Sequence, residues 1–200
     1  MNDKYKRIIE MSALPLMLLF LSAVALTFQS CKGKSKSNNL SAATDSLSDD
    51  ALMDTVQRRT FLYFWEGAEP NSGLAPERYH VDGVYPENDA NVVTSGGSGF
   101  GIMAILAGID RGYVTREEGL ARMERIVSSL EKADRFHGAY PHWWYGDTGK
   151  VKPFGQKDNG GDLVETAFLM QGLLAVHQYY ANGNDKEKAI ARRIDRLWRR

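Results

Sequence analysis

The chain has 200 residues, with 25 basic and 25 acidic side chains and a formal net charge of zero. That balance excludes a nucleic-acid binder, whose phosphate contacts need a basic face. Hydrophobic residues at 43% and charged residues at 25% belong to a folded chain rather than a disordered one, and a single cysteine excludes an intrachain disulfide, a thiolate zinc site and an iron–sulfur cluster.

Lys4, Lys6 and Arg7 precede an uncharged run from Met11 to Phe28, closed by Gln29, Ser30 and the lone Cys31. A basic start, an apolar stretch and a small residue before a cysteine read as a lipoprotein signal peptide over residues 1–31, with lipidation at Cys31. The alternative is an uncleaved anchor, because the run just reaches the lower limit of a bilayer span. Residues 32–48 hold Lys, Ser, Asn, Ala and Thr with little to bury, the composition of a flexible tether. Lys32, Lys34 and Lys36 follow the cysteine without an acidic cluster. The expectation is a cell-envelope lipoprotein, periplasm-facing or outer-membrane attached, held to the membrane by its lipid and monomeric.

From Asp49 onward the chain reads as helices joined by unequal loops. Ser48 and Asp49 cap a first helix to about Trp65, with Leu52, Val56, Phe61 and Phe64 apolar. The Gly- and Pro-rich stretch from Glu66 to Ser95 is non-helical, with Arg78 to Val81 a possible short strand. A second helix, about Gly97 to Arg111, carries small residues throughout, which permits close helix approach. Thr115 and Glu118 form a capping-box pattern for a third helix, whose Leu120, Met123, Ile126, Val127 and Leu130 recur at three- and four-residue steps on one stripe. A second long loop, Phe136 to Gly160, leads to a fourth helix to about Ala181. That helix is so apolar that burial on nearly all sides is expected. Gly183-Asn184-Asp185 separates it from a basic amphipathic fifth helix still running at Arg200. Short turns after the second and fourth helices make antiparallel hairpins, and long loops gathered at one end are where binding residues sit. The pattern is all-α, a bundle or a toroid of paired helices, and part of a larger domain.

Some apparent motifs have a plainer reading. Gly99 to Ala104 spells G-x-G-x-x-A, but a dinucleotide site needs a strand after its helix, and another helix follows. His80, His137, His142 and His177 are scattered, so neither a metal nor another cofactor is expected. The basic fifth helix is interleaved with acids and reads as a solvated outer face.

Residues 136–166 carry the chemistry. Phe136 to Trp144 packs four aromatics and two histidines into nine residues, flat apolar surfaces suited to stacking on sugar rings. Tyr140, His142, Trp143 and Trp144 are therefore candidate substrate-binding residues, with one of the two adjacent tryptophans turned to the core. Asp162 and Glu165 stand three apart at a helix start and share a face, and Asp158 precedes them across Gly160-Gly161. Three carboxylates exceed what one cap requires, although acids in a first turn also gain from the helix dipole.

Three segments together resemble glycoside hydrolase family 144: Val92–Gly112 (VVTSGGSGFGIMAILAGIDRG), His137–Trp144 (HGAYPHWW) and Lys157–Leu174 (KDNGGDLVETAFLMQGLL). The opening Thr60–Trp65 (TFLYFW) fits as well. Those glucoamylase-like enzymes include endo-β-1,2-glucanases. The resemblance implies an (α/α)6 toroid, inverting endo-hydrolysis of β-1,2-glucan and no metal. On this view residues 49–200 are the N-terminal part of the catalytic domain, about the first five of some twelve helices. Asp158, Asp162 and Glu165 match acids lining that family's cleft, with Asp162 and Glu165 taken as catalytic, and Asp158 and Arg78 as substrate-binding.

Geometry qualifies those roles. Inverting glycosidases hold acid and base about 6.5–9.5 Å apart, whereas Cβ atoms three residues apart on a helix lie about 5–6 Å apart. A helix N-terminus also favours the ionised carboxylate, which suits a base or a hydroxyl acceptor rather than an acid. Asp162 and Glu165 are thus expected to bind sugar and position or activate water, with a partner acid beyond Arg200. Two further readings stay open: a non-catalytic carbohydrate-binding lipoprotein, and a toroidal polysaccharide lyase. The lyase would need a basic cleft for uronic acids, and Lys150, Lys152 and Lys157 are offset by the acids. A purely structural helical repeat is disfavoured by the absence of a fixed-period internal repeat.

Overall fold

A computed structural model describes residues 47–199. The signal peptide, Cys31 and the tether up to residue 46 lie outside the described residues. Among those described, no helix is long and apolar enough to cross a membrane.

The elements run α1 (Asp49–Trp65), β1 (Val92–Thr94), α2 (Ser95–Asp110), α3 (Arg116–Leu130), β2 (Trp143–Tyr145), β3 (Val151–Lys152), α4 (Leu163–Tyr180) and α5 (Asp185–Trp198). Local chemistry starts most of the helices. Ser48 accepts from the Ala51 amide at 3.3 Å ahead of Asp49 and Asp50, and acids there oppose the positive end of the dipole. Reciprocal capping boxes, Thr115 with Glu118 and Asn184 with Glu187, open α3 and α5.

The helices pack around one core: α1 and α2 run in opposite directions, Phe61 meeting Gly108 and Phe64 meeting Gly101, whereas α2 and α4 run the same way, Gly96 meeting Glu165 and Gly99 meeting Phe168. Met123, Ile126, Val127 and Leu130 of α3 are fully buried, the stripe their spacing predicts, each worth about 1.5–3 kcal/mol in transfer from water. They meet Ile102 and Ile105 of α2, Leu169, Leu173 and Val176 of α4, and Ile190 and Ile194 of α5. Arg193 ties α5 to α3 by pairing with Glu124 and Glu131. The small residues of α2 allow direct backbone contact with α4. A Cβ on Gly99 would lie 2.2 Å from the Phe168 carbonyl oxygen, and one on Gly172 would lie 2.5 Å from that of Gly99. On the other side of α2, Phe61 of α1 fills the space at Gly108, where a Cβ would meet its ring at 2.3 Å.

Four expectations need correction. Arg78 to Val81 forms no strand. The pairing partner of the second long loop is instead Val92–Thr94, in an antiparallel sheet ordered β1-β2-β3 with Val93 opposite Trp144 and Trp144 opposite Val151. Helix α2 begins at Ser95, immediately after that strand. Helix α4 is buried on one side only: Leu163, Val164 and Phe168 are exposed, because α2 and α5 cover just the face bearing Leu169, Leu173 and Val176. Finally, α5 closes at Trp198, where the Arg199 amide donates to the Asp195 carbonyl.

The sheet is small but it positions the site. It knits the two long loops together, so the chain entering α2 and the aromatic loop lie side by side, and the Ser95 amide donates to the His142 carbonyl at 3.1 Å.

Candidate functional site

Four pieces converge at the start of α4: the β1–α2 junction, the aromatic loop ending in β2, the β3–α4 loop and the first turn of α4 itself. The aromatic loop is set by a tight turn in which Phe136 and Ala139 exchange backbone hydrogen bonds at 2.8 and 3.0 Å. His137 and Gly138 both take positive φ there (51° and 90°), the left-handed pair such a turn needs. The Arg135 guanidinium grips the Gly138 carbonyl. Beyond the turn the loop is fixed to α4, because the Thr166 hydroxyl accepts from the Tyr140 amide at 2.8 Å and the Asp162 amide donates to the Tyr140 carbonyl at 2.7 Å.

Asp162 is the N-cap of α4. Its Oδ1 accepts from the amides of Val164 and Glu165 at 2.9 and 3.0 Å, and its Oδ2 lies 3.1 Å from Nδ1 of His142. Partial burial pushes the Asp162 carboxyl up, but the Glu165 amide, His142 and the Val164 amide outweigh it and hold the group below the usual aspartate range. Glu165 reaches the neighbouring helix. Its Oε2 accepts from the Gly96 amide at 2.7 Å and the Thr94 hydroxyl at 3.2 Å, supplying the cap that the Thr94 side chain does not give α2. Both acids predicted as catalytic are therefore brought together, Asp162 capping the start of α4 and Glu165 the start of α2. Asp158 is exposed in a turn closed by hydrogen bonds between its own backbone and those of Phe154 and Gly155.

The aromatic candidates divide. In β2 successive side chains point to opposite sides of the sheet. Trp144 and Tyr140 are fully buried, Trp144 donating to the Asp134 carbonyl at 3.3 Å and Tyr140 to that of Leu130 at 3.1 Å. Against their assignment to sugar binding, both are core residues in this structure, with no exposed ring surface. Trp143 and His142 are on the site side and half-buried. Arg78 is not brought to the carboxylates; it pairs with Glu77 and stands 3.8 Å from Asp89 in the α1–β1 loop.

Sequence reasoning missed Phe154, whose ring lies 4.4 Å from that of His142 and 4.6 Å from that of Trp143. It also missed Thr94 and Gly96 as the seat of Glu165. Phe154 carried no local signal beyond being aromatic. A cavity of about 240 Å³ between Ser128, Lys132 and Thr148 is lined by Trp144 but by none of Asp162, Glu165, His142, Trp143 or Phe154; the carboxylates stand at an open surface flanked by exposed Leu163 and Val164. Among the described residues no group of three His, Cys, Asp or Glu side chains could hold a metal ion.

Such a site offers carboxylate acceptors for hydroxyls or water beside flat apolar rings, a pattern suited to a neutral sugar. Comparison with known proteins bears on the same point. No family model matches the chain. It is 57% identical over 164 residues to an exo β-1,2-glucooligosaccharide sophorohydrolase (non-reducing end) of Parabacteroides distasonis. The structure of an endo-β-1,2-glucanase from Chitinophaga pinensis, in complex with sophorotriose and glucose, superposes with a TM-score of 0.76 at 72% identity over 76% of this chain.

The chain is a family 144-like N-terminal portion.

This family 144-like portion has five helices among its described residues, arranged as part of an α/α toroid. It spans 22% of the sophorohydrolase and 37% of the Chitinophaga chain. A Bacteroides caccae protein of known structure, described as a glucoamylase candidate, is 98% identical over 76% of the chain, with a TM-score of 0.75 and 37% of its own length covered.

Proposed function

We propose that the chain forms the sugar-binding and water-positioning side of an inverting endo-hydrolase of β-1,2-glucan. The observation that carries this is the Asp162–His142 pair beside Glu165, at the mouth of α4 and next to the Trp143 ring. The activities of the relatives, a β-1,2-glucooligosaccharide sophorohydrolase and an endo-β-1,2-glucanase, support the same substrate class. Asp162 is held below the usual aspartate range, and both it and Glu165 offer carboxylate oxygens to hydroxyls or to the attacking water; Asp158, exposed on its turn, contributes a further acceptor. The protonated acid that an inverting mechanism also needs belongs to a part of the toroid beyond residue 200. We further propose a monomer anchored through a lipid on Cys31 in the cell envelope, facing the periplasm or attached to the outer membrane.

A second reading is a non-catalytic carbohydrate-binding lipoprotein. What favours it is that Asp162 and Glu165 both already serve as helix caps, work that needs no chemistry. Calorimetric titration with linear β-1,2-glucan, α-1,4-glucan and a polyuronate tests the site. Selective binding of the β-1,2-glucan, lost in Asp162→Ala, is expected. Equal binding of all three polymers would refute the substrate assignment.

A further inference from the structure

We infer that Phe154, in the β3–α4 loop, supplies the stacking platform for a glucosyl ring beside Asp158 and Asp162. The inference rests on the proposed glucan-binding site and names a residue that sequence reasoning did not single out.

Three rings form one cluster. His142 lies 4.4 Å from Phe154, Trp143 lies 4.6 Å from it, and His142 and Trp143 are 5.4 Å apart. Each is fixed from a different direction. Asp162 holds His142 through Nδ1, which also orients the α4 cap toward the cluster. Trp143 is set by its strand pairing with Thr94 and Lys152, and the Lys152 ammonium sits 4.9 Å from the centre of its ring. Half-buried and engaged by Lys152 and Phe154, Trp143 has little ring left to offer. Phe154 is 50% exposed, so it keeps the largest free aromatic surface of the three.

A single exposed phenylalanine needs no explanation. Here the backbone adds one. The Phe154 amide donates to the Asp158 carbonyl at 2.9 Å, and the Asp158 amide donates to that of Gly155 at 3.1 Å. The residues that carry the ring and this carboxylate therefore share one short turn, and the Asp158 side chain has no partner among the described residues. An apolar plane flanked by anionic acceptors matches a neutral pyranose, whose C–H face stacks while its equatorial hydroxyls donate. It does not match a uronic acid, which the three carboxylates repel. Trp143 beneath Phe154 then supports the platform rather than being the platform.

The test is calorimetric titration of the full chain with linear β-1,2-glucooligosaccharide. Phe154→Ala and Phe154→Leu are each expected to bind about fivefold to tenfold more weakly, the scale of one lost aromatic contact. Phe154→Trp is expected to bind within about twofold of the unaltered chain, since planarity is what the sugar reads. All three should melt with the unaltered chain, because the ring is half in solvent; rescue by Trp but not by Leu is what a merely packing role would not give. Unaltered affinity in Phe154→Ala, with affinity lost in Asp162→Ala, would overturn the platform and leave the site standing. Absence of binding by the unaltered chain, or binding insensitive to both substitutions, would overturn the site and the platform together.

Discussion

Replacing Gly96 by alanine turns a normally favourable helix substitution into a test of where Glu165 sits. Gly96 is in the first turn of α2, and Gly→Ala inside a helix ordinarily stabilises by up to about 1 kcal/mol. Here a Cβ would lie 2.6 Å from Oε2 of Glu165 and 2.9 Å from its Cδ, so the carboxylate must leave. Its departure removes the 2.7 Å bond from the Gly96 amide and the 3.2 Å bond from the Thr94 hydroxyl. Hydrogen bonds to a charged group contribute about 1.5–3 kcal/mol, and the half-exposed setting places this one at the low end. The net expectation is a loss of about 1 kcal/mol, or about 2–4 °C in melting temperature for a unit this size. In a Glu165→Ala background the obstruction is gone, and the same Gly96→Ala change should become neutral or stabilising. Urea denaturation of the four proteins of this double-mutant cycle measures the difference directly. If Gly96→Ala stabilises the otherwise unaltered chain, Glu165 is not seated on α2 and the geometry argued for the site is wrong.

Other predictions concern the same framework. Asp162 has a depressed carboxyl in the folded chain, so its contribution is present above the ordinary aspartate range near pH 4 and is lost as pH falls through the lower folded value. The stability gap between the unaltered chain and Asp162→Ala, about 1 kcal/mol for a lost cap, should therefore narrow below about pH 4 in acid denaturation. Trp144→Ala should cost about 3–5 kcal/mol as a fully buried ring, whereas Trp143→Ala should cost markedly less in the same urea titration. Gly99→Ala drives a Cβ into the backbone of Phe168 at 2.2 Å; no side chain can yield there, so a loss of 2 kcal/mol or more is expected, of the order found for overpacked cores.

The parts of the fold legible in the sequence are those whose causes are local. The capping box at Thr115 and the stripe from Met123 to Leu130 lie within one helix turn or one helix, and they open and bury α3 as read, while Gly183-Asn184-Asp185 marks the start of α5. The sheet is not local. Its strands are two or three residues long, and Val93 meets Trp144 across two intervening helices, so no periodicity announces it. Without the sheet, the alternation that buries Trp144 and leaves Trp143 at the site could be anticipated only as one inward and one outward ring. Tyr140 was misassigned for the same reason: its hydroxyl partner, the Leu130 carbonyl, lies on the preceding helix. Asp162 was legible because it caps its own helix. The attachment of Glu165 to Gly96, across 69 residues, was not. Helix α4 looked wholly buried because composition reports how apolar a helix is and not how many neighbours it has.

The central claim is that the carboxylates at the start of α4 serve a β-1,2-glucan hydrolase. Reducing-end release from linear β-1,2-glucan measures it most directly, using the full-length Bacteroides caccae relative, whose matching segment is 98% identical, and its versions altered at the positions equivalent to Asp162 (to Asn) and Glu165 (to Gln). The account predicts release by the unaltered protein and a loss of at least a hundredfold in each altered one, beyond what their small changes in stability explain. Normal turnover in both altered proteins would contradict it.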